Sequence, residues 1–366
     1  MNSFLKELID KNKQIINSKI ECIEDLKEKN IKLLEEIETD DNIVRDIKDV
    51  KLLVLTHGEI GNGFWDEVDM AFIELQKFYG FELDIKRFGQ SGTEKQLEFL
   101  NEMIDSISKN EKIKYNAMCS TVLTPEIGNA LRFIAKRIPT VTYNTSVASI
   151  PDAIEYVGAG RVGERTQGND LAIQMGLYLT KNVLNDSEFG FDSVKNDTNI
   201  NQRFIEKLSK MDNLILVSHT EDVDNQAFLD RHEGVQKIFS KAIYYRKFEE
   251  LKDKINKESN SDSIVLGFCL QESVLGSLSE FLKEKNIKSL LGVTDITSGT
   301  LKKLDEENSL VAVSGSPPIN QGNLVSAVIL NKVFGIFGNN VDELKLYTPI
   351  GNSQCNSSNI GSGVNF

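Results

Sequence analysis

The chain has 366 residues, enough for two ordinary domains of about 100–150 residues each and a further segment. Apolar residues make up 40% and charged residues 27% of the composition, which excludes a disordered or fibrous chain. The formal net charge of −13 argues against nucleic acid as a partner, because phosphates would be repelled over most of the surface.

The first predicted element is a long helix over residues 3–48, a stretch without Gly or Pro that is rich in Lys, Glu, Ile and Leu. Seam positions recur every seven residues, at Ile9, Ile16, Ile23, Asn30, Ile37 and Val44. This period favours a coiled coil, so a homodimer formed through residues 3–48 is one hypothesis. An amphipathic helix lying on its own globular domain is the alternative. Either way, residues 1–49 form a separate helical or coiled-coil segment.

From Lys51 onward, short apolar runs alternate with amphipathic stretches, the pattern of a parallel sheet covered by helices. Strands are predicted at 51–57, 81–88, 114–121, 139–145, 213–219, 241–247, 263–269 and 288–294. Helices are predicted at 65–79, 94–109, 126–137, 167–184, 225–239, 247–258, 271–285 and 298–304. A stretch rich in Asn, Asp, Ser and Gly at 186–198 predicts a loop that joins two successive βαβα units. The fold class is therefore α/β.

Three motifs typical of nucleotide-binding and hydrolytic enzymes are absent from the sequence: G-x-x-x-x-G-K-[ST], G-x-S-x-G and H-E-x-x-H. GAGRVGE (158–164) contains G-x-G-x-x-G after the strand-like EYVG, and its glycines would allow contact with a phosphate, but no helix is predicted to open directly from it. Because the chain has three histidines, and four cysteines without metal-ligand spacing, no metal site and no cofactor are predicted.

The first strand of each half ends in a similar way, with a hydroxyl residue, a His and a Glu two positions on. The residues are His57 with Glu59, and His219 with Glu221. A hydrogen-bonding role for each histidine is one interpretation. In the alternative, an enzyme, His57, Glu59, His219 or Glu272 would act as acid or base.

Polar and aromatic side chains follow the predicted strands at their ends, where parallel sheets bind ligands. They are Asn62, Phe64, Trp65, Asn144, Thr145, Arg231, Gln271, Glu272, Asp295 and Ser316. A sugar presents C–H faces bounded by hydroxyl groups, so a site for it combines an aromatic ring with planar polar side chains. The set predicts a site for a sugar or polyol. Structural roles are the alternative for Trp65 in a core, Arg231 as a surface charge and Asp295 as a strand-end cap.

Four motifs resemble those of one protein family. GNGFW (61–65) is similar to the N-P-F-[FW] loop that opens the first helix of sugar-binding proteins, and DRHEGV (230–235) is similar to R-x-x-G-F. LQESVLGSL (270–278) resembles N-D-x-x-A-L-G-x-x, and SPPINQG (316–322) resembles Q-x-P-x-x-x-G. By their order and spacing, residues 50–350 resemble type I periplasmic binding proteins of the ribose-binding kind, a superfamily that includes the effector domains of lac-repressor-like regulators.

The resemblance implies ligand contacts from both lobes of that fold. The predicted ligand-binding residues are Asn62, Phe64, Trp65, Asn144, Thr145, Arg231, Gln271, Asp295 and Ser316. Further candidates are His57, His219, Arg161, Glu164 and Glu272, and no residue is predicted to be catalytic. Departures from the family pattern weaken the case for ribose or another ordinary aldopyranose as ligand. They are Gly63 in place of Pro, Thr145 in place of Arg, Leu270 and Gln271 in place of Asn-Asp, and Ser316 in place of Gln.

The resemblance also implies two doubly wound parallel-sheet lobes that are discontinuous in sequence and move about a hinge. The N-terminal lobe would comprise 50–157 plus 318–344, and the C-terminal lobe 158–317 plus 345–350. Crossovers are expected near 156–162, 314–318 and 344–348. Residues 351–366, rich in Gly, Ser and Asn, are predicted to form a flexible tail.

The leading hypothesis is a non-enzymatic receptor for a small sugar-like solute, serving transport or sensing together with a transporter or sensor in a membrane. The alternative is a ligand-responsive regulatory or scaffold protein that dimerises through its N-terminal helix. The resemblance implies a periplasmic or other extracytoplasmic location. The printed sequence opens without the apolar block of a secretory leader, so the cytoplasm stays open as an alternative, and no stretch predicts a membrane span.

Overall fold

A computed structural model describes residues 47–89, 92–109, 111, 113–145, 154–221, 225–306, 309–334 and 353–356. Nearly all of the helix predicted over 3–48 lies outside the described residues, and so do the coiled-coil and dimer hypotheses. The crossover predicted near 344–348 lies outside them as well. None of the helices within the described ranges is both long and apolar enough to cross a membrane.

The first half of the chain forms a five-stranded parallel sheet with the order β2-β1-β3-β4-β5. Its strands are β1 (Lys51–Thr56), β2 (Glu82–Arg87), β3 (Ala117–Ser120), β4 (Thr140–Tyr143) and β5 (Glu155–Val157). The helices between them are α1 (Gly63–Tyr79), α2 (Thr93–Ser108) and α3 (Pro125–Ile134). Strand β1 has neighbours on both sides, and all of it after Lys51 is buried, as expected for an apolar strand covered on both faces.

The second half forms a sheet with the order β11-β10-β9-β8-β6-β7, in which β11 alone runs antiparallel. Its strands are β6 (Leu214–His219), β7 (Ile243–Tyr245), β8 (Ile264–Cys269), β9 (Ser289–Thr294), β10 (Leu310–Gly315) and β11 (Ser353–Asn356). Its helices are α4 (Gly160–Asn182), α5 (Phe191–Asn196), α6 (Thr198–Ser209), α7 (Gln226–Gln236), α8 (Phe248–Glu258), α9 (Ser273–Glu284) and α10 (Ser298–Glu306). The two parallel sheets confirm the predicted α/β class.

The chain passes between the two sheets after β5 and again after β10. After β5 it enters α4, whose Leu171 and Met175 belong to the core under the second sheet. After β10 it enters α11 (Pro318–Phe334), which packs on the first sheet through Val325, Ile329 and Leu330. The first sheet is therefore completed by a helix from near the end of the chain.

Every predicted strand is present, but the structure adds β5, β10, β11, α5, α6 and α11. Strand β5 coincides with the strand-like run EYVG but has only three residues, fewer than the roughly four to eight on which the predicted strands rest. Helix α5 and the start of α6 occupy 191–198, inside the stretch that predicts a loop. There Asp197 caps α6 by accepting hydrogen bonds from the N–H groups of Asn199 and Ile200. The polar residues that suggested a loop in fact begin helices.

Strand β11 lies in the segment that predicts a flexible tail. It pairs with β10 between Gly315 and Ala312 in an antiparallel register. Strand β10 would otherwise be the edge of the sheet, where unpaired backbone N–H and C=O groups favour the addition of another strand. Edge pairing of this kind needs no apolar pattern in the added strand, so the sequence does not signal it.

Helices α4 and α7 approach each other closely at two glycines. A Cβ atom on Gly168 of α4 would lie 1.9 Å from the carbonyl oxygen of Arg231, and one on Gly234 of α7 would lie 2.1 Å from that of Arg165. Only glycine allows this backbone contact. The close approach places Glu164 of α4 beside the side chain of Arg231.

We expect Gly168→Ala to lower the free energy of unfolding by about 1–3 kcal/mol, because the added methyl group forces the helices apart. The matched control is Gly276→Ala on α9, where an added Cβ meets no atom within 4 Å. That variant should change stability by less than about 1 kcal/mol, in the stabilising direction. Denaturant unfolding of both variants and the parent measures the difference. Equal stability of the Gly168 variant and the parent would contradict the close packing.

Candidate functional site

A cavity lies between the two sheets at the carboxyl ends of their strands. The space within it, including the open solvent at its mouth, is about 530 Å³. The first half of the chain contributes His57, Asn62, Phe64, Trp65 and Asn144. The second half contributes Glu164, Asn225, Ala227, Phe228, Arg231, Gln271, Glu272, Ser273 and Asp295.

The wall from the first half is aromatic. Trp65 is 6% exposed and meets Phe64 and His57 edge to face, with ring centroids 5.2 and 4.7 Å apart. The Asn62 side chain caps α1 by accepting a hydrogen bond from the Trp65 N–H at 3.4 Å. A Cβ on Gly58 would overlap the Trp65 ring, so this glycine provides the space for it. Trp65 therefore belongs both to the core of the first lobe and to the wall of the cavity.

His57 presents a neutral imidazole to this wall. Its backbone N–H donates to the Thr121 hydroxyl at 3.2 Å, while its Nδ1 is buried without a hydrogen-bond partner among the described residues. Burial lowers the pKa of His57 from 6.5 to about 4. At neutral pH the ring is uncharged, and which nitrogen donates depends on the tautomer.

Asn144 adopts a left-handed backbone conformation, with φ of +62°, at the end of β4. Asparagine tolerates this region better than most residues. Its Nδ2 donates to Gln321 Oε1 at 3.2 Å, and its carbonyl accepts a hydrogen bond from the Tyr156 hydroxyl at 2.6 Å. These bonds hold the side chain at the cavity wall.

The wall from the second half is built around Arg231, which is 7% exposed. Its Nε donates to Glu164 Oε2 at 2.6 Å. Its Nη1 donates to the Leu270 carbonyl at 2.7 Å, the Thr294 hydroxyl at 2.8 Å and Asp295 Oδ1 at 3.1 Å. Within the described part of the chain, the hydrogen bonds of Arg231 use its Nε and Nη1. The Arg231 Nη2 is therefore the nitrogen that can donate to a ligand.

Burial and charge pairing act against each other in this network. Burial raises the pKa of Glu164 and of Asp295, and the Arg231 charge opposes both shifts. Burial also disfavours the charged form of Arg231, but the two carboxylates outweigh it and raise the pKa of Arg231. In the part of the chain that the structure describes, no group of three or more His, Cys, Asp or Glu side chains is placed to hold a metal ion.

Three neighbouring polar residues complete this wall. Asp295 has a φ of +101°, a strained conformation for a residue with a side chain, and its Oδ2 accepts a hydrogen bond from the Glu272 N–H at 3.0 Å. Gln271 is 6% exposed. The Gln271 Nε2 and Glu272 Oε2 atoms are buried without hydrogen-bond partners among the described residues. Burial, followed by the Asp295 charge, raises the pKa of Glu272.

The two lobes touch beside the cavity. Glu67 Oε1, on α1, accepts hydrogen bonds from the Ser298 N–H at 2.7 Å and the Ser298 hydroxyl at 2.6 Å, at the start of α10. A Cβ on Gly63, the first residue of α1, would lie 3.1 Å from Glu272 Oε2. These contacts join the first and second halves across the cleft.

Two of the predicted ligand-binding residues do not line the cavity. The Thr145 hydroxyl accepts a hydrogen bond from the Val122 N–H at 3.2 Å. The Ser316 hydroxyl accepts one from Gln167 Nε2 at 3.3 Å, close to the connection after β10. In this arrangement both hydroxyls support the backbone around the site.

Two of the further candidates also lie elsewhere. The His219 ring stacks on Phe248, with centroids 5.6 Å apart, and its Nδ1 is 3.0 Å from the Tyr245 carbonyl. Arg161 pairs with Asp230 at 3.3 Å at the surface. The expectation that no helix opens directly at 158–164 is wrong, because α4 begins at Gly160. The segment contributes Glu164, rather than a backbone cradle, to the cavity.

Four lining residues were not predicted from the sequence: Asn225, Ala227, Phe228 and Ser273. Asn225 caps α7 by accepting a hydrogen bond from the Ala227 N–H at 3.0 Å. The Phe228 ring lies 5.3 Å from the Arg231 guanidinium carbon. A capping Asn followed by an aromatic residue one turn before Arg231 is the signal that could have located this part of the wall.

Solved structures of solute-binding proteins share this architecture. A periplasmic solute-binding protein from Actinobacillus succinogenes with bound D-allose is 12% identical, with a TM-score of 0.63 over 86% of this chain and 100% of that chain. A solute-binding protein from Burkholderia graminis in complex with D-arabinose is 13% identical, with a TM-score of 0.63 over 88% of this chain and 100% of that chain. This chain has the fold of type I periplasmic binding proteins.

A third structure with this fold, the Caulobacter myo-inositol-binding protein with myo-inositol, is 11% identical, with a TM-score of 0.62 over 86% of this chain and 96% of that chain. No protein-family model and no curated protein matches the sequence. The type I periplasmic binding fold confirms the resemblance drawn from the sequence motifs. The similarity lies in the superposed structures rather than in the sequences, and it shows a common fold.

We expect the stability of the protein to fall as the pH drops from 6.5 toward 4, because of His57. Below its ordinary pKa of 6.5 the unfolded chain takes up a proton that the folded protein binds only near pH 4. The loss should reach about 3 kcal/mol. The measurement is the free energy of unfolding against pH for the parent and for His57→Gln.

The difference between the two pH curves isolates His57. The raised pKa values of Glu164 and Asp295 favour the folded state as the pH falls, but they are present in both proteins and cancel. The parent should lose stability relative to the variant between pH 6.5 and 4. Parallel curves would show that His57 is protonated as readily in the folded protein as in the unfolded chain.

Proposed function

We propose that the chain binds a sugar or polyol between its lobes and releases it unchanged, as a solute receptor for transport or sensing. The observation that carries this proposal is the composition of the cavity wall. Phe64 and Trp65 lie on one side, while Arg231, Gln271 and Asp295 lie on the other. Aromatic rings contact the C–H faces of a sugar, and planar polar groups bind its hydroxyls.

Unpartnered polar atoms in the cavity support a ligand rich in hydroxyl groups. His57 Nδ1, Gln271 Nε2 and Glu272 Oε2 are buried without partners among the described residues. A buried polar atom left unpaired costs about 1–3 kcal/mol. Hydroxyl groups both donate and accept, so one polyol can satisfy donors and acceptors at the same time.

The solved structures of this fold support the same ligand class. Those of Actinobacillus, Burkholderia and Caulobacter hold D-allose, D-arabinose and myo-inositol respectively. Each of these molecules carries several hydroxyl groups on a compact carbon frame. We infer that the ligand of this chain is a similar small polyhydroxylated molecule, because the chain has the same fold and because its cavity is lined by side chains that suit such a molecule.

The two histidines among the candidate acids and bases support binding without turnover. The low pKa of His57 makes it a weak base at neutral pH. His219 does not line the cavity, and Glu164 and Asp295 are engaged by Arg231. A general base needs a pKa near the operating pH and access to the reacting atom, and neither His57 nor His219 combines the two.

We further propose how the lobes move and where the receptor acts. We propose lobes at 50–157 plus 318–344 and at 158–317 plus 345–350, which close about hinges near 156–162 and 314–318. Closure would bury the ligand, and its free energy of binding would come from contacts made in the closed state. The partner would be a transporter or sensor in a membrane, and the place of action outside the cytoplasm, as the periplasmic solute-binding protein of the same fold suggests.

Isothermal titration of the full chain with D-allose, D-arabinose and myo-inositol tests the ligand class. We expect saturable heat with at least one ligand of the panel, together with a change in Trp65 fluorescence. Gln271→Ala should weaken that binding by about 3- to 10-fold, because the ligand loses one hydrogen bond. The control Gln202→Ala changes an exposed amide that pairs with Glu206, and should bind normally. No heat and no rise in melting temperature with any ligand of the panel would refute the proposal.

Closure can be tested away from the ligand, at Glu67. Glu67→Ala removes the contact with Ser298, so the closed state should be less populated and apparent affinity should fall by about 3- to 10-fold. Small-angle scattering of the unliganded variant should also show a larger radius of gyration than the parent. Glu74→Ala, an exposed position on the same helix, is the control. Unchanged affinity and unchanged radius would argue that the lobes do not move.

A further inference from the structure

Glu272 is the carboxylate of the cavity wall that lacks an ionic partner. Glu164 and Asp295 are both bound by Arg231. Glu272 Oε2 is buried without a hydrogen-bond partner, and no salt bridge reaches this residue within the described part of the chain. Lys303 acts on Glu272 only from a distance and does not line the cavity.

The charges of the wall favour a cation. Three carboxylates and one guanidinium line the cavity, while the low pKa of His57 keeps its ring neutral at pH 7. The first turns of α1 and α10 lie beside Glu272, since Cβ atoms on Gly63 and Gly299 would come within 3.1 and 2.7 Å of its carboxylate oxygens. A helix N-terminus carries roughly half a positive charge, which offsets part of the negative excess. The helix N-termini nevertheless leave Glu272 Oε2 without a hydrogen-bond donor.

The neighbouring side chains suit an ammonium group. Phe64 and Trp65, the two residues after Gly63, line the same cavity. A carboxylate combined with aromatic rings is the usual protein environment for a bound ammonium, through an ion pair and cation–π attraction. A hydroxyl donor would also fill the free position on Oε2, but it would leave the Glu272 charge uncompensated.

The rest of the wall remains suited to hydroxyl groups. Gln271 and His57 are 6% and 5% exposed, and each has a buried nitrogen without a partner among the described residues. Arg231 Nη2 is a further donor. These groups lie in the same cavity as Glu272, so one ligand can meet all of them.

Building on the proposed function, we propose that the ligand is a sugar or polyol that carries a protonated amine. Its ammonium group binds Glu272 beside Phe64 and Trp65, and its hydroxyl groups bind Gln271, His57 and Arg231. The site then distinguishes amine-bearing from neutral sugars by charge. The negative net charge of the protein also raises the local concentration of such a cation.

The test is titration of the full chain near neutral pH with matched pairs of ligands. The pairs are glucose, galactose, mannose and allose, each with its 2-amino-2-deoxy analogue, and myo-inositol with an aminodeoxyinositol. N-acetylglucosamine is included because it keeps the nitrogen and lacks the charge. We expect at least one amine to bind at least about tenfold more tightly than its neutral partner. N-acetylglucosamine should show no such gain.

Glu272→Gln should lower the ratio of amine affinity to neutral-partner affinity from at least about tenfold to about one. It should unfold no more easily than the parent, because it replaces a partly buried carboxylate that has no ionic partner with a neutral group. The control is Glu280→Gln, an exposed position on the same helix that loses the same charge and should keep the preference. A preference that survives Glu272→Gln would overturn the assignment of the ammonium to Glu272.

The remaining outcomes separate the two proposals. Neutral sugars that bind as tightly as their amines, or better, would overturn this inference and leave the sugar receptor standing. No binding by any neutral sugar, polyol or amine would overturn both. Binding of the amines alone, lost in Glu272→Gln, would support this inference and would limit the receptor to amine-bearing sugars, contrary to the binding of neutral ligands proposed above.

Discussion

The second lobe depends on a guanidinium held away from water. Arg231 binds carboxylates from two other elements, Glu164 on α4 and Asp295 after β9, and each ion would be costly to bury alone. Helices α4 and α7 and the end of β9 must therefore be correctly placed relative to one another for any of these ions to be stable. Gly168 and Gly234 allow α4 and α7 to come close enough for these ion pairs to form. Stability and the shape of the cavity wall follow from the same interaction.

Neither half of the molecule forms the site alone. The first lobe supplies rings held by an Asn62 cap and by packing of Trp65 into the core, while the second supplies the ionic network. The carboxyl ends of parallel strands bring such groups to one edge, because helices start there and loops are free of sheet pairing. The contact between Glu67 and Ser298 joins the two edges, so the relative position of the two halves and the shape of the cavity are linked.

Side chains at a helix cap lie where the sequence predicts them, whereas side chains at the ends of strands do so less regularly. Asn62 and Trp65 line the cavity as expected, since a cap and the residues of the next turn have a defined geometry relative to the strand. His57 and His219 occupy equivalent places in the sequence pattern, yet His57 faces the cavity while His219 stacks on Phe248. The difference comes from the neighbour that each ring meets, which the local sequence does not specify.

The sequence by itself determined the α/β class, the strands with clear apolar runs and, through ordered motifs, the type of fold. These depend on periodicity and on caps, which are local properties of the chain. Tertiary structure alone decided which polar groups meet. Arg231 and Asp295 are 64 residues apart, and Glu67 and Ser298 are 231 apart. Contacts over such separations depend on how helices and sheets pack, and no local pattern records that.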